Sequence, residues 1–141
     1  TTKVLKKLDY KVVTGISYNG LFYMLSEGRF DYFIRGVNEI FGEYNNIKEK
    51  LVNLKIENGL ALYIPMPIYF FVSPNEKELA KRIELGLEMA IKDGSFEKLF
   101  LESHQKSIEK AQLNKRLIIN IGNPLLNNKK NTTNPKYWFR P

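Results

Sequence analysis

Helical and extended patterns alternate along the first forty-five residues, and this alternation constrains the fold more than any other feature. A short helical pattern at residues 5–8 and an apolar run at 10–14 come first, followed by a helix that starts at the N-cap Ser17 and stops at Gly28. An apolar run at 30–34 and helical spacing at 37–44 repeat the order. Such alternation with short links is typical of a doubly wound α/β sheet with buried parallel strands.

Two short strands are predicted next, at 51–56 and 60–64. Asn58-Gly59 lies between them, and this dipeptide between apolar runs favours a β-hairpin. Pro65-Met66-Pro67 follows, and its fixed φ angles predict a rigid extended connection between two structural units.

The remaining chain repeats the strand–helix order. Residues 68–72 form a β-branched and aromatic strand pattern, and Ser73 to Glu76 carries the signals of a helix start. One apolar stripe then continues until Asp93-Gly94. We expect a second helix from residue 93 or 95, a third at about 103–113, a last strand at 117–121 and an extended tail anchored by the aromatic residues 137–139.

Composition excludes several kinds of chemistry. The 141 residues include no cysteine and one histidine, His104, so disulfides, thiolate catalysis, Cys-ligated metals and multi-histidine sites are not expected. No apolar run is long enough to span a bilayer, and the start of the chain has no secretory h-region. We predict that the protein is not an enzyme and has no metal and no cofactor.

Several segments in order resemble type II periplasmic solute-binding proteins, the amino-acid class of extracellular solute-binding proteins (family 3) that serve ABC transporters. These segments are residues 25–33 (LSEGRFDYF), 35–39 (RGVNE), 67–73 (PIYFFVS), 83–87 (IELGL), 92–96 (KDGSF), 123–126 (NPLL) and 138–141 (WFRP). The resemblance spans nearly the whole chain and implies two α/β lobes with the ligand held between them.

The resemblance also implies a division of the chain. Residues 1–64 correspond to the later part of lobe two, 65–67 to the crossover hinge, 68–121 to the carboxy-terminal part of lobe one, and 122–141 to the extended tail. Most of lobe one and the first strand of lobe two have no counterpart here. We therefore expect an incomplete type II fold that pairs with a missing amino-terminal part or forms a homo-oligomer.

The implied function is binding of a small polar or anionic, amino-acid-like solute in the periplasm. Closure of the lobes around the solute would be recognised by an ABC permease or a membrane sensor. No nucleic acid is expected as a partner. Two alternatives stay open: a basic nucleic-acid-binding domain, suggested by the net charge of +7 and 13% aromatic residues, and a non-functional truncated remnant.

Arg35 is the first candidate ligand residue, because it directly follows the predicted strand 30–34 and its planar guanidinium suits a carboxylate or phosphate. The alternative is an ion pair with Glu39 or Glu43, one or two helical turns further on. Amino-acid-binding relatives usually have an aspartate for the ligand amine just after this strand, where this chain has Gly36.

Four further candidates lie near the starts of the two predicted helices. Asn38 and Glu39 can bond a solute in the cleft, or they serve as a cap and a first-turn acid of the helix. Ser17 and Tyr18 can form the cleft rim, although capping explains Ser17 and core packing explains Tyr18.

Overall fold

The regular elements of the described part of the chain are helices and a small parallel sheet, in a mixed α/β arrangement joined by irregular segments. The computed structural model describes residues 1–126 and 137–139. In chain order the elements are α1 (Thr2–Lys7), α2 (Tyr18–Ser26), α3 (Val37–Ile47), β1 (Leu60–Tyr63), α4 (Lys77–Asp93), α5 (Ser95–Ala111), a 3₁₀ helix (Leu113–Lys115) and β2 (Leu117–Asn120). The α/β class predicted from the sequence agrees with this mixture.

The two strands pair in parallel. Leu60 lies opposite Leu117 and Tyr63 opposite Asn120, and Leu117 N–H donates to the carbonyl of Gly59 at 2.7 Å. Parallel neighbours cannot be joined by a tight turn, so the chain needs a long crossover. Helices α4 and α5 form that crossover and pack against each other, and α3 packs on α5.

Arg116 fixes the entry of β2 to the start of β1. Its Nε donates to the carbonyl of Ala111 at 2.6 Å, and Nη1 donates to the carbonyls of Glu57 and Leu60, the latter at 3.1 Å. The side chain is only 11% exposed. One guanidinium thus satisfies carbonyl groups at the end of α5 and at the beginning of the sheet.

Local signals place the helix ends. Ser17 Oγ accepts a hydrogen bond from the Gly20 N–H at 3.1 Å and caps α2, and Gly28 follows the helix with φ +69°. Gly94 separates α4 from α5 with φ +81°, a backbone conformation that favours glycine. These three predictions are confirmed.

Two helix predictions in the carboxy-terminal half are wrong. The α4 helix begins at Lys77 rather than at the Ser73 cap, because the Ser73 carbonyl accepts from the Glu76 N–H in a turn of its own. The separate helix expected at about 103–113 is the second half of α5, which runs unbroken from Ser95 to Ala111. No glycine or proline interrupts that stretch, so the helix continues.

Four predicted strands are not strands in the described part of the chain: residues 10–14, 30–34, 51–56 and 68–72. A strand requires a neighbour, and among the described residues only β1 and β2 pair. The alternating pattern predicts a doubly wound sheet, whereas the described part of the chain has a two-stranded parallel sheet.

The hairpin predicted at Asn58-Gly59 is also wrong. The Glu57 carboxylate accepts the N–H groups of Gly59 (2.7 Å) and Leu60 (2.5 Å), so a side chain organises this bend. The residue that pairs with Leu60 is Leu117, not a residue of the preceding segment. Backbone hydrogen bonds of the same bend also lower the pKa of Glu57.

Much apolar surface stays exposed. The buried hydrophobic residues of the described chain are Val4, Phe22, Leu51 and Ala111. Residues 68–71 lie at the other extreme, with Ile68 96% and Phe71 94% exposed. None of the helices among the described residues has the length and apolar character needed to cross a bilayer.

Candidate functional site

The candidate site lies where α2 and α3 begin. Arg35 immediately precedes Gly36, the N-cap of α3, and Tyr18 is the first residue of α2. Phe33 belongs to the irregular segment that joins the two helices. The chain thus brings a guanidinium and two aromatic rings together near two helix N-termini, where free N–H groups favour negative charge.

Two glutamates of α3 hold the Arg35 guanidinium. Glu43 accepts from Nε at 2.7 Å and from Nη2 at 2.5 Å in a two-point pair, and Glu39 Oε2 lies 3.0 Å from Nη2. Arg35 and Glu43 are mostly covered, with side chains 21% and 18% exposed, whereas Glu39 is 47% exposed. The ion pair offered as the alternative interpretation of Arg35 is therefore present, with both glutamates.

Two rings flank the same guanidinium. The Arg35 Cζ lies 5.2 Å from the centroid of the Tyr18 ring and 5.3 Å from that of Phe33. Phe22 packs edge-on against both rings, with centroid distances of 5.3 Å to Tyr18 and 5.2 Å to Phe33. We call Arg35, Glu39, Glu43, Tyr18 and Phe33 the Arg35 cluster. Cation–π contacts of this kind hold a guanidinium plane in one orientation.

The pKa values of the cluster shift in the directions that ionised pairing requires. Hydrogen bonding to Arg35 lowers the pKa of the Glu43 carboxyl, and hydrogen bonding to Glu43 raises the pKa of Arg35. The pKa of Tyr18 is raised, first by burial and then by its hydrogen bond with Glu43. At neutral pH Arg35 and Glu43 therefore form an ionised pair and Tyr18 is neutral, and the ion pair with Glu39 adds a second carboxylate to the cluster.

This charge balance decides which ligands suit the site. The net negative charge opposes a purely anionic ligand and attracts an ammonium group. The contacts with the glutamates use Nε and Nη2, and Nη1 lies outside these pairs. A guanidinium beside the half-exposed Glu39 carboxylate matches a molecule that carries both charges.

Three of the five residues predicted from the sequence meet in this cluster: Arg35, Tyr18 and Glu39. Ser17 lies beside Tyr18 and caps α2. Asn38 lies beside the backbone of Gly36, so closely that a Cβ on Gly36 would come 2.7 Å from Asn38 Oδ1. Glu39 also caps α3, because its carboxylate accepts from the Gly36 N–H at 3.2 Å.

The sequence prediction did not include Phe33 and Glu43 among the ligand residues. Glu43 was identifiable as a partner of Arg35 from its position two helical turns beyond it. Phe33 carried no such signal, because an aromatic residue in an apolar run is ordinarily explained by core packing.

Metal binding finds no support in this part of the molecule. Within residues 1–126 and 137–139, no group of three or more His, Cys, Asp or Glu side chains is arranged to hold a metal ion. The chemistry that the Arg35 cluster offers is recognition by charge and hydrogen bonding.

Compared with known proteins, the chain matches no protein-family model, no curated protein and no solved structure.

Proposed function

We propose that this chain is part of an extracytoplasmic solute-binding protein with a type II periplasmic-binding-protein fold, and that its Arg35 cluster binds a small amino-acid-like zwitterion. The observation that carries the proposal is the meeting of Arg35, Tyr18 and Glu39, three of the five residues that the sequence offered as candidate ligand residues. The proposed role is delivery of the solute to an ABC permease or a membrane sensor.

Binding uses groups that the cluster already orients. The solute carboxylate accepts hydrogen bonds from Arg35 Nη1, whose plane is held by the two-point pair with Glu43 and by the flanking rings. The solute ammonium pairs with the half-exposed Glu39, which takes the role that an aspartate has in amino-acid-binding relatives. The Tyr18 ring covers the apolar part of the solute. No bond is made or broken.

The exposed apolar segment supports the proposed two-lobe architecture. Ile68, Tyr69, Phe70 and Phe71 are between 59% and 96% exposed, directly after the prolines of the proposed hinge. Covering such a segment is favourable at about 25 cal/mol per Å² of apolar area. We propose that the complementary part of the receptor covers it, and that closure occurs by rotation at residues 64–67.

Calorimetric titration of the 141-residue chain at low ionic strength tests the ligand class. The panel consists of the twenty proteinogenic amino acids, and the best binder is then compared with its N-acetyl and carboxamide derivatives. We expect each derivative to bind at least about tenfold more weakly, because each loses one charge-assisted contact worth about 1.5–3 kcal/mol. Equal binding of all three forms, or indifference to the entire panel, would contradict the proposal.

A matched pair of variants tests the site. Glu39→Gln keeps the α3 cap and removes the charge, so it should abolish the preference for the free amino acid over its N-acetyl form. Glu97→Gln makes the same change in the first turn of α5 and should leave that preference unchanged. Equal effects of the two substitutions would rule out Glu39 as the ammonium partner.

A further inference from the structure

A concavity separate from the Arg35 cluster lies between the first turn of α3, the sheet and α5. Its volume is about 310 Å³, and its lining includes Ala61 of β1, Ile118 of β2 and Phe100 of α5. None of the lining residues is Asp, Glu, Lys or Arg, although 26% of the chain is charged. This space differs in character from the Arg35 cluster, which consists largely of charged groups.

Aromatic rings form one wall of the cavity. The ring of Phe100 lies 4.8 Å from that of His104 and 5.4 Å from that of Phe139, measured between centroids. All three residues line the cavity. Rings in this arrangement offer faces and edges against which a further ring packs at a centroid distance of about 4.5–7 Å.

Four polar side chains interrupt the apolar lining: Asn38 at the start of α3, Tyr63 at the end of β1, and His104 and Ser107 on neighbouring turns of α5. None of them has a side-chain hydrogen bond with another residue in the described part of the chain. A largely apolar cavity with a few available polar groups is the usual composition of a small-molecule site.

From this lining we infer that the cavity binds a small, uncharged aromatic compound with one hydrogen-bonding group. The volume is at the low end of ligand pockets, which admits a single or fused ring and excludes drug-sized molecules. An ionised group would have no Lys, Arg, Asp or Glu to pair with among the lining residues, so an uncharged compound is favoured. The inference does not depend on the zwitterion site, since the two sites require opposite ligand chemistry.

Indole is the test probe, because it is an uncharged fused ring with a single N–H donor. Saturation-transfer NMR on the 141-residue chain should detect indole binding, and indole-3-acetate, which adds a carboxylate, should bind at least about tenfold more weakly. Absence of indole binding, or equal binding of the two compounds, overturns the inference.

A cavity-filling variant locates the site. Ala61→Leu places additional methyl groups in the cavity from β1, and Ala80→Leu makes the same change on the exposed surface of α4. We expect at least about tenfold weaker indole binding for Ala61→Leu and unchanged binding for Ala80→Leu. If circular dichroism shows that Ala61→Leu is unfolded, Ser107→Leu fills the cavity from α5 instead.

Equal indole binding by the wild type and a folded filled variant overturns the assignment. The same holds if sedimentation shows a concentration-dependent dimer of the wild type that the filled variant abolishes, because the cavity then belongs to an interface between copies. Loss of indole binding together with intact amino-acid binding supports two separate sites. Failure of the amino-acid titration alone counts against the proposed function and leaves this inference standing.

Discussion

Replacing Glu43 with glutamine removes the charge that holds Arg35 and nearly preserves the shape of the side chain. In the wild type Glu43 accepts two charge-assisted hydrogen bonds from Arg35, and both side chains are about four-fifths covered. The glutamine keeps one neutral acceptor and turns an amide toward the guanidinium. The guanidinium then keeps only the half-exposed Glu39 as its counterion, and loss of the covered partner is the costly outcome for such pairs.

The expected cost of Glu43→Gln is about 2 kcal/mol of unfolding free energy. Exposed pairs contribute about 0–1 kcal/mol, and breaking a fully buried pair costs about 3–5 kcal/mol, so a pair with 18% and 21% exposure lies between these limits. For a chain of this length about 2 kcal/mol corresponds to a decrease of roughly 6–8 °C in Tm.

Glu39→Gln is the matched control, because it makes the same change on the same helix against the same guanidinium. Glu39 is 47% exposed and makes one contact at 3.0 Å, and glutamine retains the α3 cap, so we expect a loss below about 0.5 kcal/mol. Urea unfolding followed by circular dichroism measures both variants. If Glu39→Gln costs as much as Glu43→Gln, burial does not set the strength of these pairs and the reasoning is refuted.

Three further predictions concern acid, the sheet and the glycines. Hydrogen bonding to the guanidinium lowers the pKa of Glu43 below its ordinary value of 4.5, so the stabilisation by Glu43 is complete above that value and is lost as the pH falls through the lowered pKa. Urea unfolding at a series of pH values should therefore show that Glu43→Gln loses less unfolding free energy in acid than the wild type. An equal loss in both proteins would contradict this prediction. Arg116→Met should lower the unfolding free energy by about 2–3 kcal/mol and increase amide hydrogen exchange in β1 and β2, since it removes the donors to three carbonyls. Lys115→Met changes the exposed neighbouring residue and should have neither effect. Gly86 lies in the interior of α4 with open space around it, so Gly86→Ala should raise the unfolding free energy by about 0.5–1 kcal/mol. Gly94 has a φ of +81°, so Gly94→Ala should lower the unfolding free energy by about 1 kcal/mol. Thermal denaturation that shows a change of the same sign for both variants would be contrary to this account.

The sequence predicted helix ends well where the signal was local. Ser17, Gly28 and Gly94 each act through the backbone within a few residues, so their effect is visible in the amino-acid order. The sequence also predicted a helix boundary near residue 103, which α5 does not have. No glycine or proline lies there to end the helix.

Strands were predicted less well, because their partners are distant in the chain. Residues 60–63 and 117–120 pair, while 68–72 has an equally strong strand composition and no partner among the described residues. Composition identifies segments suited to a sheet. It does not tell which of them finds a neighbour.

The candidate site shows the same division. The pairing of Arg35 with Glu39 and Glu43 follows from helical spacing and was offered from the sequence as one of two interpretations. The contacts of Tyr18 and Phe33 with the guanidinium depend on how two helices are positioned, and no local pattern reports that.

The parallel pairing of β1 with β2 has a consequence for synthesis on the ribosome. Leu60 leaves the exit tunnel well before its partner Leu117 has been translated, and at about 5–20 residues per second the delay is on the order of several seconds. Throughout that interval the nascent chain presents an unpaired apolar strand, and the α4–α5 pair is complete only shortly before β2, because α5 ends at Ala111. Arg116 immediately precedes β2, so the side chain that donates to the Leu60 carbonyl arrives together with the strand that pairs with Leu60.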